Sequence, residues 1–100
     1  MRISSNQKAI LIALYAIALK RGVNPPLSLM ELLNIINAGR DRKIADTNFR
    51  TSCHTLVKHG LLYKHRDLDS LQLSFSLTQE GENTAYPLYQ KLLKAGDNDG

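Results

Sequence analysis

Apolar residues recur along this chain with two different periods, and the change of period divides it into helices and a hairpin. Ile10, Leu11, Ile12, Leu14, Tyr15, Ile17 and Leu19 are so dense that they cover nearly the whole cylinder of a first helix. Ser4 or Ser5 can cap it, and Ser4 has Gln7 three residues on, the spacing of a capping box. Lys20 and Arg21 suit the negative end of its dipole, and Gly22 stops it. A helix apolar on every side is covered on more than one. A chain of 100 residues holds too little protein to cover both, so a second copy is expected against one face.

Asn24-Pro25-Pro26 predicts an extended connection. Ser28 then opens a second helix, with Glu31 completing a capping box and Leu29, Leu32, Leu33, Ile35 and Ile36 as its apolar stripe. That helix is expected to end near Ala38-Gly39. Residues 40–45 read as a basic turn. Asp46 is expected to cap a third helix, running from Thr47 to about His59 and stopped by Gly60. Phe49, Cys53, Leu56 and Val57 give it one inward face.

After Gly60 the period shortens to two. Leu61 to Arg66 predicts a strand, Asp67-Leu68-Asp69-Ser70 a turn, and alternating Leu71, Leu73, Phe75 and Leu77 a second strand with one buried face. Thr78 can cap a last helix, with Gly81 just inside it. Pro87 either kinks that helix or starts a new one, and Leu88, Leu92 and Leu93 are its apolar positions. The expected architecture is α+β and mainly α, with three helices, a two-stranded hairpin and a C-terminal helix. It forms one domain over residues 1–95, followed by a polar tail at 96–100.

Charge sharpens this picture by where it falls. The formal net charge is +4. Between Arg40 and Arg66 seven positive residues face only Asp41 and Asp46, a local excess of +5 that leaves the rest of the chain at −1. The excess covers the third helix and its flanks and suits a polyanionic partner. Cys53 is the only cysteine, so no intrachain disulfide forms, which fits a reducing cytoplasm. Arg2 and Lys8 before the apolar run 9–19, with Ala16-Ile17-Ala18 inside it, imitate an export signal. The run is too short to span a bilayer, and the fold needs it as its first helix. A cytoplasmic protein without membrane contact is expected.

Two short segments carry a resemblance. Leu56-Val57-Lys58-His59-Gly60-Leu61-Leu62-Tyr63 resembles the "Leu-x-x-x-Gly-Leu-hydrophobic" join between recognition helix and wing in winged helix-turn-helix regulators. Leu77-Thr78-Gln79-Glu80-Gly81 resembles the "Leu-Thr-x-x-Gly" that closes the wing and opens the next helix. Together they are similar to the MarR and PadR-like groups of bacterial repressors, over about Ser28 to Gly81. The resemblance implies sequence-specific binding to double-stranded DNA and transcription regulation. It also implies a homodimer built on N- and C-terminal helices, which points to Ile10, Leu14, Ile17, Leu88 and Leu92 as interface residues. Two features depart from those groups. The turn 40–45 is longer than usual, and the wing tip carries Asp67 and Asp69 where an arginine often stands.

At about 100° per residue, turning Phe49, Cys53, Leu56 and Val57 inward leaves Thr47, Thr51, His54, Thr55 and Lys58 outward, with Asn48 and Arg50 on the flanks. Asn48, Arg50, Thr51 and His54 are expected at base edges, and Thr47, Thr55 and Lys58 at phosphates. Arg40, Arg42 and Lys43 in the turn, and Lys64 and Arg66 on the wing, are expected to neutralise further phosphates. No paired carboxylates, phosphate loop or nucleophile motif points to an enzyme. Cys53 turns inward while His54 turns away, and His54 and His59 do not share a face, so no metal is expected. No cofactor is expected, and nothing singles out a small-molecule effector. The alternatives are an accessory DNA binder in plasmid partition or replication, and a winged-helix protein-interaction module.

Overall fold

The computed structural model describes residues 2–23 and 25–97. Asn24, part of the expected extended connection, and residues 98–100 of the expected tail lie outside the described residues. Helix α1 spans Ser5–Arg21. Its capping box is complete: Ser4 Oγ accepts from the Gln7 amide, and the Gln7 side chain accepts from the Ser4 amide. Strand β1 is Leu27–Ser28, and helix α2 is Leu29–Ala38. Ser28 Oγ accepts from the Glu31 amide at 3.2 Å, as expected of a cap. The Glu31 carboxylate, however, accepts from the Ser28 hydroxyl rather than from the backbone that a capping box requires.

Helix α3 runs Asp46–Lys58. Its cap differs from expectation. The extended residue at its start is Ala45, which has no side chain to cap with, and Asp46 is the first helical residue. A carboxylate there still lies against the positive end of the helix dipole. It pairs with Arg50 one turn on, at 3.6 Å. Asn37 fixes the turn between α2 and α3. Its side chain accepts from the Ile44 amide at 2.9 Å and donates to the Ile44 carbonyl at 3.2 Å. These two bonds let the seven residues 39–45 cross between the helices in a set path, with Ile44 buried beneath them.

Strand β2 is Leu62–Arg66, strand β3 is Leu73–Leu77, and helix α4 is Gln79–Asp97. The sheet has three strands in the order β1-β3-β2, all antiparallel. The expected two-stranded hairpin therefore gains an edge strand, with Leu27 opposite Phe75 and Ser28 opposite Ser74. Two residues after Pro25-Pro26 are too few to show a period of their own. Helix α4 continues through Pro87 without a second start, and Gly96 and Asp97 extend it into the expected tail. The hairpin tip is closed locally. Asp67 Oδ1 accepts from the Asp69 and Ser70 amides, and the Asp67 carbonyl accepts from the Leu71 amide at 2.7 Å. Leu71 takes a left-handed backbone, φ 60°, and lies outside the strand rather than alternating within it.

One core gathers Ile10, Leu11 and Leu14 of α1, Leu32 of α2, Phe49, Cys53 and Leu56 of α3, and Phe75 and Leu77 of β3. Burial of this apolar surface is the main stabilising force. Helix α1 buries one face only. Ile10 and Leu14 are 0% and 2% exposed within their own protomer. The chain itself already covers both, in contrast to their expected place at an interface. The opposite side of α1 is apolar as well. Ala9, Ile12 and Ala13 form, with Ile35 and Ile36 of α2 and Leu92 of α4, an open groove of about 430 Å³. Ile35, expected in the core, is 44% exposed along it. Among the described residues no helix is long and apolar enough to cross a membrane.

Candidate nucleic-acid interface

Two features set the direction of α3 relative to the hairpin. At its C-terminus the Leu61 amide donates to the Leu56 carbonyl, and the Gly60 amide to the Val57 carbonyl. This is the paired bonding of a Schellman end. It needs a left-handed residue, supplied by Gly60 at φ 78°. Leu56 and Leu61, both buried, make the accompanying apolar contact. From the other side, Thr78 Oγ1 donates to the Gly60 carbonyl at 2.6 Å, and the Thr78 amide donates to the Leu61 carbonyl at 3.1 Å. Gly81 packs so close that a Cβ would run into the Leu61 carbonyl oxygen. The sequence segments 56–63 and 77–81 are thus the two halves of one joint.

The joint holds α3 with its polar side outward. Phe49, Ser52, Cys53 and Leu56 are buried. Thr47, Asn48, Arg50, Thr51, His54 and Lys58 are exposed. Thr55 is half-buried, and its hydroxyl donates to the Thr51 carbonyl at 2.9 Å. A phosphate oxygen can only accept, and that proton is already committed to the helix, so Thr55 is poorly suited to the expected contact. His54 lies on the hairpin side, its ring edge-on to Phe75 at 6.1 Å. Burial pushes the Cys53 thiol from its ordinary 9.0 up to about 12, which leaves it neutral and inert.

The hairpin adds charge beside α3. Register sets Lys64 opposite Phe75 and Arg66 opposite Leu73, so both basic side chains share the sheet face that carries the core. Tyr63 and His65 take the other face, where His65 Nε2 bonds Ser76 Oγ at 2.9 Å. Arg66 and Arg50 line one hollow between the hairpin and α3. The turn residues divide. Arg42 is exposed. Lys43 Nζ donates to the Asn37 carbonyl at 2.8 Å and so caps α2. Arg40 is half-buried in the wall of the apolar groove and does not line the hollow of Arg50 and Arg66. Of the helices expected to pair copies, Ile17 and Leu88 are half-buried against the core, and Leu92 is 55% exposed. Met30, and Leu71, which was expected on the buried face of the second strand, are 53% and 61% exposed beside the two arginines. Met30 sits off the apolar stripe of α2, and that was the available signal.

The arrangement of three helices, a hairpin and a fourth helix recurs in solved structures. F-93 of SSV1 superimposes with a TM-score of 0.71 over 97% of this chain and 96% of its own, at 14% identity. The fold is a winged helix-turn-helix. F93 from STIV, a winged-helix DNA-binding protein, matches with a TM-score of 0.67 over 92% of this chain and 91% of its own, at 18% identity. MepR, a transcription regulator of the Staphylococcus aureus multidrug efflux pump MepA, matches with a TM-score of 0.67 over 98% of this chain and 66% of its own, at 14% identity. No protein-family model and no curated protein matches the sequence. In this winged helix, α3 occupies the place of the recognition helix and β2–β3 that of the wing.

Proposed function

We propose that this protein binds double-stranded DNA as a homodimer and regulates transcription by recognising specific sequences. One observation carries the reading. The outward face of α3 offers only hydrogen-bonding or basic side chains, with no acid beyond Asp46, and a basic wing strand lies beside it. Such a helix fits the major groove, where Asn48, Thr51 and His54 can meet base edges. Lys58, Arg42 and Lys64 would neutralise phosphates, and the Thr47 hydroxyl would donate to one. Two of the neighbours support the reading: F93 from STIV is a winged-helix DNA-binding protein and MepR is a transcription regulator.

Pairing uses the open apolar groove. Ile12, Ile35 and Leu92 would meet their counterparts about a two-fold axis, which is the usual solution for a self-complementary patch. The inner residues Ile10 and Leu14 support α1 from behind. Two recognition helices would then face one side of the duplex, reading half-sites about one helical turn apart.

Fluorescence anisotropy with a random duplex, followed by selection of bound duplexes from a random pool, tests the proposal. Expected are salt-dependent binding at low salt and an inverted repeat in the selected pool. Binding that ignores salt, or no binding at low salt, would overturn it in favour of a protein-interaction module. Sedimentation is expected at twice the chain mass of 11.2 kDa. A strict monomer at high concentration removes the pairing.

A further inference from the structure

The hollow between wing and recognition helix has a composition that general phosphate contact does not explain. It encloses about 350 Å³. Arg50 of α3 and Arg66 of the wing both line it, and Met30, Leu71 and Leu73 form much of its remaining wall. No acid lines it. Two guanidinium groups in one hollow repel each other unless an anion lies between them, and their planar donors match phosphate oxygens. Among the described residues, the one ion pair is Arg50 with Asp46. It is 3.6 Å long, with side chains 56% and 58% exposed, so it is a weak competitor for Arg50.

The apolar wall narrows the ligand. A free phosphate ion is strongly hydrated and gains nothing from Met30, Leu71 and Leu73. A sugar–phosphate unit carries both parts, an anionic group and a largely apolar ring edge. Position points the same way. If α3 lies in the major groove and the wing reaches toward the neighbouring minor groove, the backbone strand that separates the two must run between helix and wing. The hollow lies there.

Resting on the DNA-binding reading, we propose that this hollow seats one sugar–phosphate unit of the DNA backbone. Arg50 and Arg66 grip its phosphate from the two groove sides, and Met30, Leu71 and Leu73 cover the sugar. Arg50 releases Asp46 to do so. It therefore positions the duplex instead of reading a base, in contrast to the expectation from helical spacing. Asp46 acts as an internal competitor that weakens binding to every sequence alike.

The test uses the full chain and its selected duplex with single methylphosphonates placed one at a time along the backbone. Each removes one charge and leaves the sugar and base intact. In the wild type, one position in each half-site is expected to lower affinity by about tenfold, the scale of a charged hydrogen bond. Arg50→Ala and Arg66→Ala are both expected to become insensitive at that same position. The double variant is expected to flatten the salt slope by about one ion per half-site, not two. Asp46→Asn is expected to raise affinity for selected and random duplexes equally. The proposal is overturned if the two variants lose sensitivity at different phosphates, or if Arg50→Ala weakens the selected duplex while sparing the random one. It is also overturned if millimolar inorganic phosphate raises the melting temperature of the wild type but not of Arg66→Ala, which would mark a free-anion site. If the wild type binds no duplex at all, the DNA-binding reading fails first, and that outcome is distinct from the others. Both arginines are exposed, so far-UV circular dichroism and melting of the variants are expected to match the wild type.

Discussion

The hydroxyl of Thr78 stands 2.6 Å from the carbonyl oxygen of Gly60 and ties the start of α4 to the end of α3. The Thr78 hydroxyl oxygen in turn accepts from the Gly81 amide at 3.0 Å, so one side chain serves both helix ends. Thr78→Val keeps the shape and removes both bonds, and is expected to cost about 1–2 kcal/mol. Gly81→Ala is expected to cost about 3 kcal/mol, because its Cβ meets backbone at Leu61, which has little room to yield. Urea unfolding of the two variants checks the order. An alanine at residue 81 that is tolerated better than a valine at residue 78 would contradict the packing described here.

Lys58 ends the outward row of α3, and its side chain makes no hydrogen bond or ion pair within the described residues. Lys58→Ala is expected to weaken selected and random duplexes by the same factor and to lower the salt slope by about one. Asn48→Ala is expected to act differently. It should cost about 1–3 kcal/mol on the selected duplex and little on random DNA, because a base contact carries sequence information and a phosphate contact does not. Anisotropy titrations at two salt concentrations separate the two patterns.

Asn37 holds the turn 40–45 by bonding both backbone groups of Ile44. Asn37→Ala leaves those groups without partners in a partly buried place, and is expected to destabilise the fold by about 1–3 kcal/mol. It also frees the turn that carries Arg42. Hydrogen exchange is expected to quicken at Ile44 more than at Leu56 in the middle of the core.

Cys53 is fully buried, and its thiol titrates at about 12 instead of 9.0. Below pH 9 the thiol is neutral in both the folded and the unfolded chain and contributes no pH dependence. As pH rises from 9 toward 12 the unfolded chain releases this proton and the folded chain does not, so stability falls. The wild type is expected to lose more stability than Cys53→Ala between pH 8 and pH 10 in urea titrations. The folded protein is expected to resist a disulfide reagent at pH 8 and to react once unfolded.

Much of this architecture was legible because short signals coincide with its boundaries. Ser4 with Gln7, Ser28, Gly22 and Gly60 each end or begin a helix for reasons that reach no further than four residues. The polar row on α3 followed from Phe49, Cys53 and Leu56 alone. What stayed hidden depends on distant partners. Strand β1 exists because Leu27 meets Phe75, and no local pattern in two residues announces that. The dense apolar run of α1 shows that two faces are greasy, but not that Ile10 and Leu14 belong to the inner one. A helical wheel leaves Thr55 free, whereas its hydroxyl donates to the Thr51 carbonyl. Helical angle places Arg50, whereas Arg66, which lines the same hollow, comes from a strand sixteen residues on in the chain.

The left-handed backbone at Leu71 has a further consequence. Glycine adopts that conformation without strain, and leucine does so at a cost of about 1 kcal/mol or more. Leu71→Gly would therefore make the molecule sturdier while stripping the side wall from the hollow it borders. Selection for heat resistance and selection for grip on a duplex would pull this one position in opposite directions.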